Sequence, residues 1–401
     1  TDLDQAFTIE RSGADLLLHY AIADVAWFVD DGGPIDQEAW RRGATQYLPD
    51  GRAGLYPPVL SEGAASLLPN GPRPAIIFTV RIDSNGAVVL DSAERAIIRS
   101  RAKLAYDRVT ETDLPADFTE FARRIQSAEA RRGAARVNPP GQEIVPVGNG
   151  RYELLFQAPL ESEVRNAALS LATNLAVADL LQAHQTGLFR VMAEPDARAV
   201  NRLRHTARGL GLQWPANKSL AEIERTLDPA NPRQATFMLA VQRASQGAGY
   251  VPFQAGKVPW HAAVAATYAH ATAPLRRLAD RYVVGAALAI ANGRAVPPAV
   301  TDAFERLPAI MARADALGSQ IERASIDLAE AVLLNGREGE IFPAIVTEVD
   351  HRGARIQLCD LPVVARVADA GIKAGQTLQV ILVKSEPELR TISFQTAEGG
   401  K

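Results

Sequence analysis

Two carboxylates stand one residue apart in Asp2-Leu3-Asp4-Gln5-Ala6. In an extended backbone, residues at i and i+2 lie on one side, so two hard oxygen donors can converge on a single cation. The same pair elsewhere is usually a solvated edge, and the acids by themselves do not decide between these readings. The other stretch with chemistry in it is Tyr268-Ala269-His270-Ala271-Thr272-Ala273-Pro274-Leu275-Arg276-Arg277-Leu278-Ala279-Asp280-Arg281. Its arginines carry the planar fork that grips phosphate through two parallel hydrogen bonds. Arg276 follows Pro274, a natural first-turn residue, which places it near an expected helix N-terminus whose free amides also favour phosphate. No spacing of His with His, Cys or Glu reads as a zinc site.

These residues need elements to hold them. The apolar run from Ala14 to Val29 ends in Asp30-Asp31-Gly32-Gly33-Pro34 and reads as a buried strand closed by a turn. A short helix is expected from Ile35 to Arg42, then an irregular Pro- and Gly-rich stretch from Tyr47 to Pro74. Ala75 to Ile82 and Ala87 to Asp91 read as a hairpin around Ser84-Asn85-Gly86. Helical spacing runs from Ala116 to Ala135, with Arg123, Arg124, Arg131 and Arg132 on the other faces, and stops at Val137-Asn138-Pro139-Pro140-Gly141. A hairpin from Glu143 to Ala158 and a long helix from Ser162 to His184 follow. Further helices are expected at 196–210, 218–227, 234–245, 274–292, 299–306 and 308–334. After Asn335-Gly336 the chain turns β-rich in five runs, Glu340–Val349, Ala354–Leu358, Pro362–Val367, Thr377–Val383 and Thr391–Phe394, the pattern of a small OB-type barrel.

The chain of 401 residues can hold one large domain and one or two small ones. Its 43 basic and 46 acidic residues leave a net charge of −3, so overall charge does not mark a nucleic-acid binder. The single cysteine, Cys359, excludes an intramolecular disulfide and a cysteine zinc cluster, and is expected as a small buried residue in a strand. No apolar stretch is long enough to span a bilayer and none reads as a signal peptide, so a cytoplasmic protein without membrane contact is the expectation.

The acid and arginine segments together resemble the RNB catalytic domain of the ribonuclease II and ribonuclease R family. Asp2-Leu3-Asp4-Gln5-Ala6 is similar to the end of its acidic motif, and Ala21-Ile22-Ala23-Asp24-Val25 to the strand behind it. Arg42-Gly43-Ala44-Thr45-Gln46-Tyr47-Leu48-Pro49 resembles the segment that holds a base-stacking tyrosine. Ala102-Lys103-Leu104-Ala105-Tyr106 is another recurrent patch. Glu163-Val164-Arg165-Asn166 and Ser170-Leu171-Ala172-Thr173-Asn174 resemble the central helix, Thr272 to Arg277 the arginine motif, and Glu322-Arg323-Ala324-Ser325 the late glutamate motif. The last 60 or so residues resemble an S1 RNA-binding domain, with a nearly balanced charge and one aromatic, Phe342, in the first strand; a barrel that only packs against the main domain is the other reading.

The resemblance implies an α+β architecture: an RNB catalytic domain at 1–334, a mixed sheet surrounded by helices, then an S1-like OB-fold at 336–397. It implies a 3′-to-5′ exoribonuclease that hydrolyses single-stranded RNA processively to nucleoside 5′-monophosphates as a monomer. The cofactor implied is Mg²⁺, with Mn²⁺ as a substitute, held by Asp2 and Asp4 and weakly by Gln5. Mg²⁺ keeps several waters and takes few protein carboxylates, so two aspartates and an RNA phosphate suffice. Arg276 would stabilise the charge that builds on the phosphate. Arg277 would lie beside it, at the RNA backbone or in a structural ion pair. Tyr47 would stack on the terminal bases, or serve as rim packing. Tyr106 and Glu163 would contact RNA, and Glu322 would hold the terminal ribose or orient Arg276. Asp24 sits near the metal or makes a structural hydrogen bond.

Two departures matter. The family motif ends Asp-x-Asp-Asp where this chain has Gln5, a neutral amide, and the first aspartate of the set is expected upstream of Thr1, together with an N-terminal segment. A catalytically impaired member that binds RNA 3′ ends is therefore the rival, and an RNA-binding protein working through its barrel is a second.

Overall fold

The computed structural model describes residues 2–134, 141–157, 160–229, 231–245, 247–350, 353–368 and 371–397. The acid motif feeds β1 (Gln5–Ser12), which pairs antiparallel with β2 (Asp15–Ala23) in the register Gln5 to Ile22 through Ser12 to Asp15. Leu16, Leu18, Tyr20 and Ile22 alternate along β2 and are buried, as the period-two pattern of a half-covered strand requires. The strand is shorter than the expected 14–29: it stops at Ala23, and beyond it the Trp27 N–H donates to the Asp24 carbonyl in a short helical turn.

α1 (Pro34–Arg42) opens on proline and closes on Gly43 at φ +73. A Cβ there would meet Ala314 and Ile310 at 3.0 and 3.1 Å, so glycine serves both the turn and the close packing. The stretch expected to be irregular contains a small hairpin, β3 (Gln46–Leu48) and β4 (Gly51–Ala53), with Tyr47 opposite Arg52. β5 (Arg73–Ile82) and β6 (Val88–Ile98) complete an antiparallel sheet of order β1-β2-β5-β6. Their turn is held by the Asp83 carboxylate, which accepts from the N–H groups of Asn85 (2.8 Å) and Ala87 (2.9 Å), with Gly86 at φ +76.

α2 (Phe118–Arg132) ends on Gly133 in the left-handed conformation. The expected helix end at Ala135 and the stop at Val137 to Pro140 lie outside the described residues. Arg124 was expected on a polar face and is buried instead, donating to the carbonyls of Ala14 and Ile82 and to Glu120. β7 (Gly141–Gly148) and β8 (Arg151–Gln157) form the expected hairpin; its expected end, Ala158, lies outside the described residues. α3 (Glu161–Ala183) runs through the core with Leu169, Ala172, Val177 and Leu181 fully buried. After β9 (Leu188–Met192), α4 (Ala197–Gly209), α5 (Leu220–Glu224) and α6 (Pro232–Ala244) gather around Leu203, Leu210, Ile223, Phe237 and Val241.

β10 (Ala248–Pro252), β11 (Trp260–His261) and β12 (Ala266–Thr267) join β9 in a sheet of order β10-β9-β11-β12. The sequence reading missed this sheet because strands of two to five residues show no measurable period.

α7 spans Leu278–Ala291, four residues shorter at its start than expected, and α8 is one helix, Pro298–Leu334, where two were expected. Pro308 removes one backbone donor without ending α8, because Phe304, Leu307, Met311 and Ala314 on both sides of it are buried along one stripe.

The C-terminal segment is a barrel of β13 (Ile341–Asp350), β14 (Gly353–Leu358), β15 (Val364–Val367), β16 (Thr377–Glu386) and β17 (Thr391–Thr396), in the order β15-β14-β13-β16-β17. Phe342 is inside it, edge-on to Phe394 at 6.1 Å, so it is core and not a surface for bases. Cys359 is exposed in the turn after β14, contrary to the expected buried strand position.

α8 joins the barrel to the rest of the chain. Glu330, near its end, is 4% exposed and accepts from the Val364 N–H of β15 (2.8 Å) and from Gln142 Nε2 of β7 (2.6 Å). Burial pushes its carboxyl up to about 7, against those two hydrogen bonds, which lower it. A folded-state value above the unfolded one means that the native state holds the extra proton between about pH 4.5 and 7. Its stabilising effect is complete below that window and lost as pH rises through it. Glu330→Gln, which retains the acceptor and removes the charge, is expected to be the more stable protein at pH 8, by on the order of 3 kcal/mol at most, and to match the parent near pH 4. Urea melts at the two pH values check this.

Candidate active site

The acids are set by backbone pairing before any side chain acts. The Ala23 N–H donates to the Asp4 carbonyl (2.9 Å), the Leu67 N–H to the Leu3 carbonyl (2.9 Å), and the Leu3 N–H to Ser66 Oγ (2.8 Å). The acid segment is thus extended and gripped from both sides. Asp4 is 8% exposed; its Oδ1 accepts the Leu275 N–H at 2.7 Å and its Oδ2 lies 3.6 Å from Arg276 Nε. Burial pushes this carboxyl up to about 7, against the Leu275 hydrogen bond and the Arg276 charge, which lower it. A buried acid with so little compensation is one that a bound cation would stabilise in its ionised form.

Asp2 pairs with Arg52 at 2.5 Å, and the same guanidinium reaches Glu62 at 2.7 Å. Arg52 was not picked out in the sequence. The available signal was Leu48-Pro49-Asp50-Gly51, whose Asp-Gly marks a tight hairpin and would have put Arg52 across from Tyr47.

Residues 272–277 are not the helix start that Pro274 suggested. They form an arch, pinned by the Arg276 carbonyl accepting from the Thr45 N–H (3.0 Å) and by the Leu278 N–H donating to the Gly43 carbonyl (2.9 Å). α7 begins after it, so Arg276 presents its side chain from this arch and not from a helix N-terminus. That side chain is 44% exposed. Arg277 makes the structural ion pair: Nε and Nη2 donate to Asp280 Oδ1 and Oδ2 at 2.9 and 2.8 Å, and Asp280 is fully buried. Gln5 spends both ends of its amide, donating to the Thr272 carbonyl (2.6 Å) and accepting from the Tyr20 hydroxyl (2.6 Å), which also meets Ser170 Oγ of α3 at 3.0 Å.

Tyr47 is 53% exposed beside these acids; burial of its hydroxyl and then the Asp2 charge raise its pKa, and the Arg276 charge lowers it. Its neighbour Gln46 donates to the Ala314 carbonyl of α8 (3.2 Å) and lies against Gly318. Glu322 is exposed one turn beyond Gly318, eight residues past Ala314, along the same side of α8. On the other side, Tyr106 is 49% exposed, with its hydroxyl accepting from Asn166 Nδ2 at 3.0 Å. Burial and then Glu163 raise its pKa, and Arg276 lowers it, so Tyr106, Glu163 and Arg276 share one neighbourhood. Glu163 also accepts from the Leu160 N–H (2.8 Å) at the start of α3.

Asp24 is drawn to Arg95 at 2.5 Å, the structural alternative for that residue. His270 is partly buried, its Nδ1 2.7 Å from the Tyr250 hydroxyl, and desolvation lowers its pKa well below the usual histidine value. Asn174 of α3 donates to the Tyr268 hydroxyl (3.0 Å) and accepts from the Ala271 N–H (2.9 Å), which fixes the approach to the arch.

Among the described residues no three His, Cys, Asp or Glu side chains converge as a metal cluster. The donors present are two carboxylates with exposed cationic and aromatic neighbours, a set that suits a hard cation retaining most of its own water and taking its remaining oxygens from a phosphate.

Residues 1–286 match the family described as RNB domain, and residues 340–397 match the RNase II-type exonuclease C-terminal S1 domain. Ribonuclease R of Aquifex aeolicus is 26% identical over 423 residues, an alignment that spans 99% of this chain and 58% of that protein. The chain thus spans little more than half the length of such relatives. The fold is that of Mycoplasma genitalium RNase R, solved with ribose-methylated single-stranded RNA: TM-score 0.86 at 20% identity over 99% of this chain and 69% of the other. It is also similar to yeast Ssd1, a pseudonuclease, with TM-score 0.69 at 16% identity over 95% of this chain and 50% of that one.

The hydroxyl of Tyr20 is the tie between the acid strand, α3 and the arch. Tyr20→Phe leaves the Gln5 amide oxygen and Ser170 without it in a buried place, and is expected to destabilise the protein by about 1–3 kcal/mol, read as a lower urea midpoint at constant m-value.

Proposed function

The chain belongs to the RNB family, and on that premise we propose that it is a 3′-to-5′ exoribonuclease, hydrolysing single-stranded RNA processively to nucleoside 5′-monophosphates. The observation that supports this most is the joint of Asp4 with Leu275 and Arg276, where a buried acid and an exposed guanidinium meet although Asp4 and Leu275 stand 271 residues apart in the sequence. Residues 1–334 are read as the catalytic domain and 336–397 as an S1-like module that adds RNA affinity. A single chain in the cytoplasm, free of membrane, is part of the same reading; among the described residues no helix is long and apolar enough to cross a membrane.

Asp2 and Asp4 would hold Mg²⁺, or Mn²⁺ in its place, with Gln5 contributing at most through its amide oxygen. The cation would lower the pKa of its water and offset the charge of the phosphate under attack. Every other task falls to side chains of the chain itself. Arg276 is exposed enough to reach a phosphate and is held by a fixed arch, so its charge is in position before the reaction and costs no reorganisation during it. Tyr47 offers a ring face to the terminal base, which suits an enzyme indifferent to sequence. Tyr106 and Glu163 line the approach, and Glu322 would bind the terminal ribose. Arg277, committed to Asp280, keeps Arg276 company without touching RNA.

One rival has a specific observation behind it. Gln5 stands where the family motif has an aspartate, and its amide is already bonded to Thr272 and Tyr20. An impaired protein that only binds RNA 3′ ends is the reading this favours, and the likeness to a pseudonuclease means that fold alone does not decide. A second rival assigns the RNA binding to the barrel; loss of all function on removing residues 336–401 would favour it.

A 5′-labelled single-stranded RNA incubated with Mg²⁺ should descend to a short labelled end product, stop with chelator, and lose about 10³-fold in rate in Asp4→Asn. Binding without degradation in Mg²⁺ and in Mn²⁺ would decide for the impaired protein. Tyr47→Ala should weaken RNA binding by about 1–3 kcal/mol, measured by fluorescence anisotropy in chelator.

A further inference from the structure

We infer that Asp280 is the positioning residue for Arg276: it holds the backbone of the arch in shape and withdraws the neighbouring Arg277 from the site. The inference rests on the reading of Asp4 and Arg276 as active-site groups.

Asp280 is in the first turn of α7 and is fully buried. Its two oxygens take four hydrogen bonds. Oδ2 accepts from the backbone N–H groups of Thr272 (3.0 Å) and Ala273 (2.8 Å) and from Arg277 Nη2 (2.8 Å), and Oδ1 accepts from Arg277 Nε (2.9 Å). A buried carboxylate with four donors, two of them charged, is rigidly placed.

Two consequences follow for the reacting end of the arch. Thr272 and Ala273 are tied at the entry, and Arg276 and Leu278 are tied at the exit through Thr45 and Gly43. Leu275 lies between these anchors, and its N–H meets Asp4. Release of the entry would let Leu275 and Arg276 drift together. The second consequence concerns charge. Adjacent arginines would otherwise compete for the same acid, but Arg277 is saturated by Asp280 and half as exposed as Arg276, 22% against 44%. Asp4 therefore has the Arg276 guanidinium beside it at 3.6 Å, carried by the arch and exposed enough to meet a phosphate. Gln5 adds a strut from the acid strand to the Thr272 carbonyl, so one of the two residues that Asp280 grips is also tied to the acid strand.

Asp280→Asn alone leaves the Arg277 guanidinium without its counter-charge and can fail to fold, so the informative protein is Asp280→Asn/Arg277→Gln, which removes both charges together. Its folding is checked by circular dichroism, and the measurement is a double-mutant cycle with Arg276→Ala on RNA hydrolysis in Mg²⁺. The paired variant should lose about 30-fold in kcat with KM within about 3-fold, and adding Arg276→Ala should cost less than about a further 3-fold, because both changes remove the same correctly placed guanidinium. Losses that multiply, an unchanged kcat, or an equal loss in Arg277→Gln alone would overturn the inference. If the unmodified protein degrades no RNA in Mg²⁺ or Mn²⁺, the exoribonuclease reading fails by itself. The same cycle is then read on the Kd for a single-stranded oligouridylate. Non-additive weakening sustains the role of Asp280, and additive weakening removes it.

Discussion

The Asp4 carboxylate accepts a backbone hydrogen bond from Leu275, and much of the molecule is arranged to make that contact possible. Burying a carboxylate is costly unless donors meet it, and here one amide and a guanidinium at 3.6 Å meet it only in part. The four-stranded sheet supplies one side of the joint, since β2 carries Ala23, whose N–H holds the Asp4 carbonyl. The arch before α7 supplies the other side. The two sides are then locked by contacts that do no chemistry: Gln5 to Thr272, Tyr20 to Gln5 and Ser170, Thr45 to Arg276. A site assembled from both ends of a fold needs such a lattice, because a displacement of about 1 Å at a phosphate can cost on the order of 10²-fold in rate.

Neighbouring residues of one type have different fates in this lattice. Arg276 and Arg277 are identical in chemistry and adjacent in sequence, yet one is exposed beside an acid and the other is saturated by Asp280. The aspartates divide similarly. Asp4 is buried with weak compensation, Asp2 is paired to Arg52, and Asp24 is paired to Arg95. Burial and partner, not residue type, give these like residues their different surroundings.

α8 gives the molecule its continuity. Its middle carries Ala314 and Gly318 against Gln46, next to Tyr47, and its end carries Glu330 and Ala331 into the barrel, where Ala331 accepts from Ser385 Oγ. One helix of 37 residues thus touches both the rim of the site and the C-terminal module. Pro308 lies before both contacts, and the buried stripe on either side of that proline outweighs the lost hydrogen bond and keeps the helix continuous.

Much was already written in the local chemistry of the chain. The acidic pair, the arginine doublet, the Asn-Gly hairpin and the five short C-terminal runs were legible because each depends on near neighbours: turn geometry, period two, or residue types that only one chemistry wants. The RNB relationship was legible for the same reason, from several motifs in a fixed order. What could not be read was everything set by partners distant along the chain. Nothing near Pro274 reveals that Thr45, Gly43 and Asp4 fasten the arch that stands before α7, and nothing near Asp2 names Arg52. The burial of Arg124 and the continuity of α8 through Pro308 depend on contacts with other elements, as does the sheet formed by β9 to β12. Local sequence thus determined which groups are available and what they can do. The tertiary structure decided which of them are free to do it, because a carboxylate or guanidinium is released or committed by its burial and its partners, and those come together only when the chain is folded.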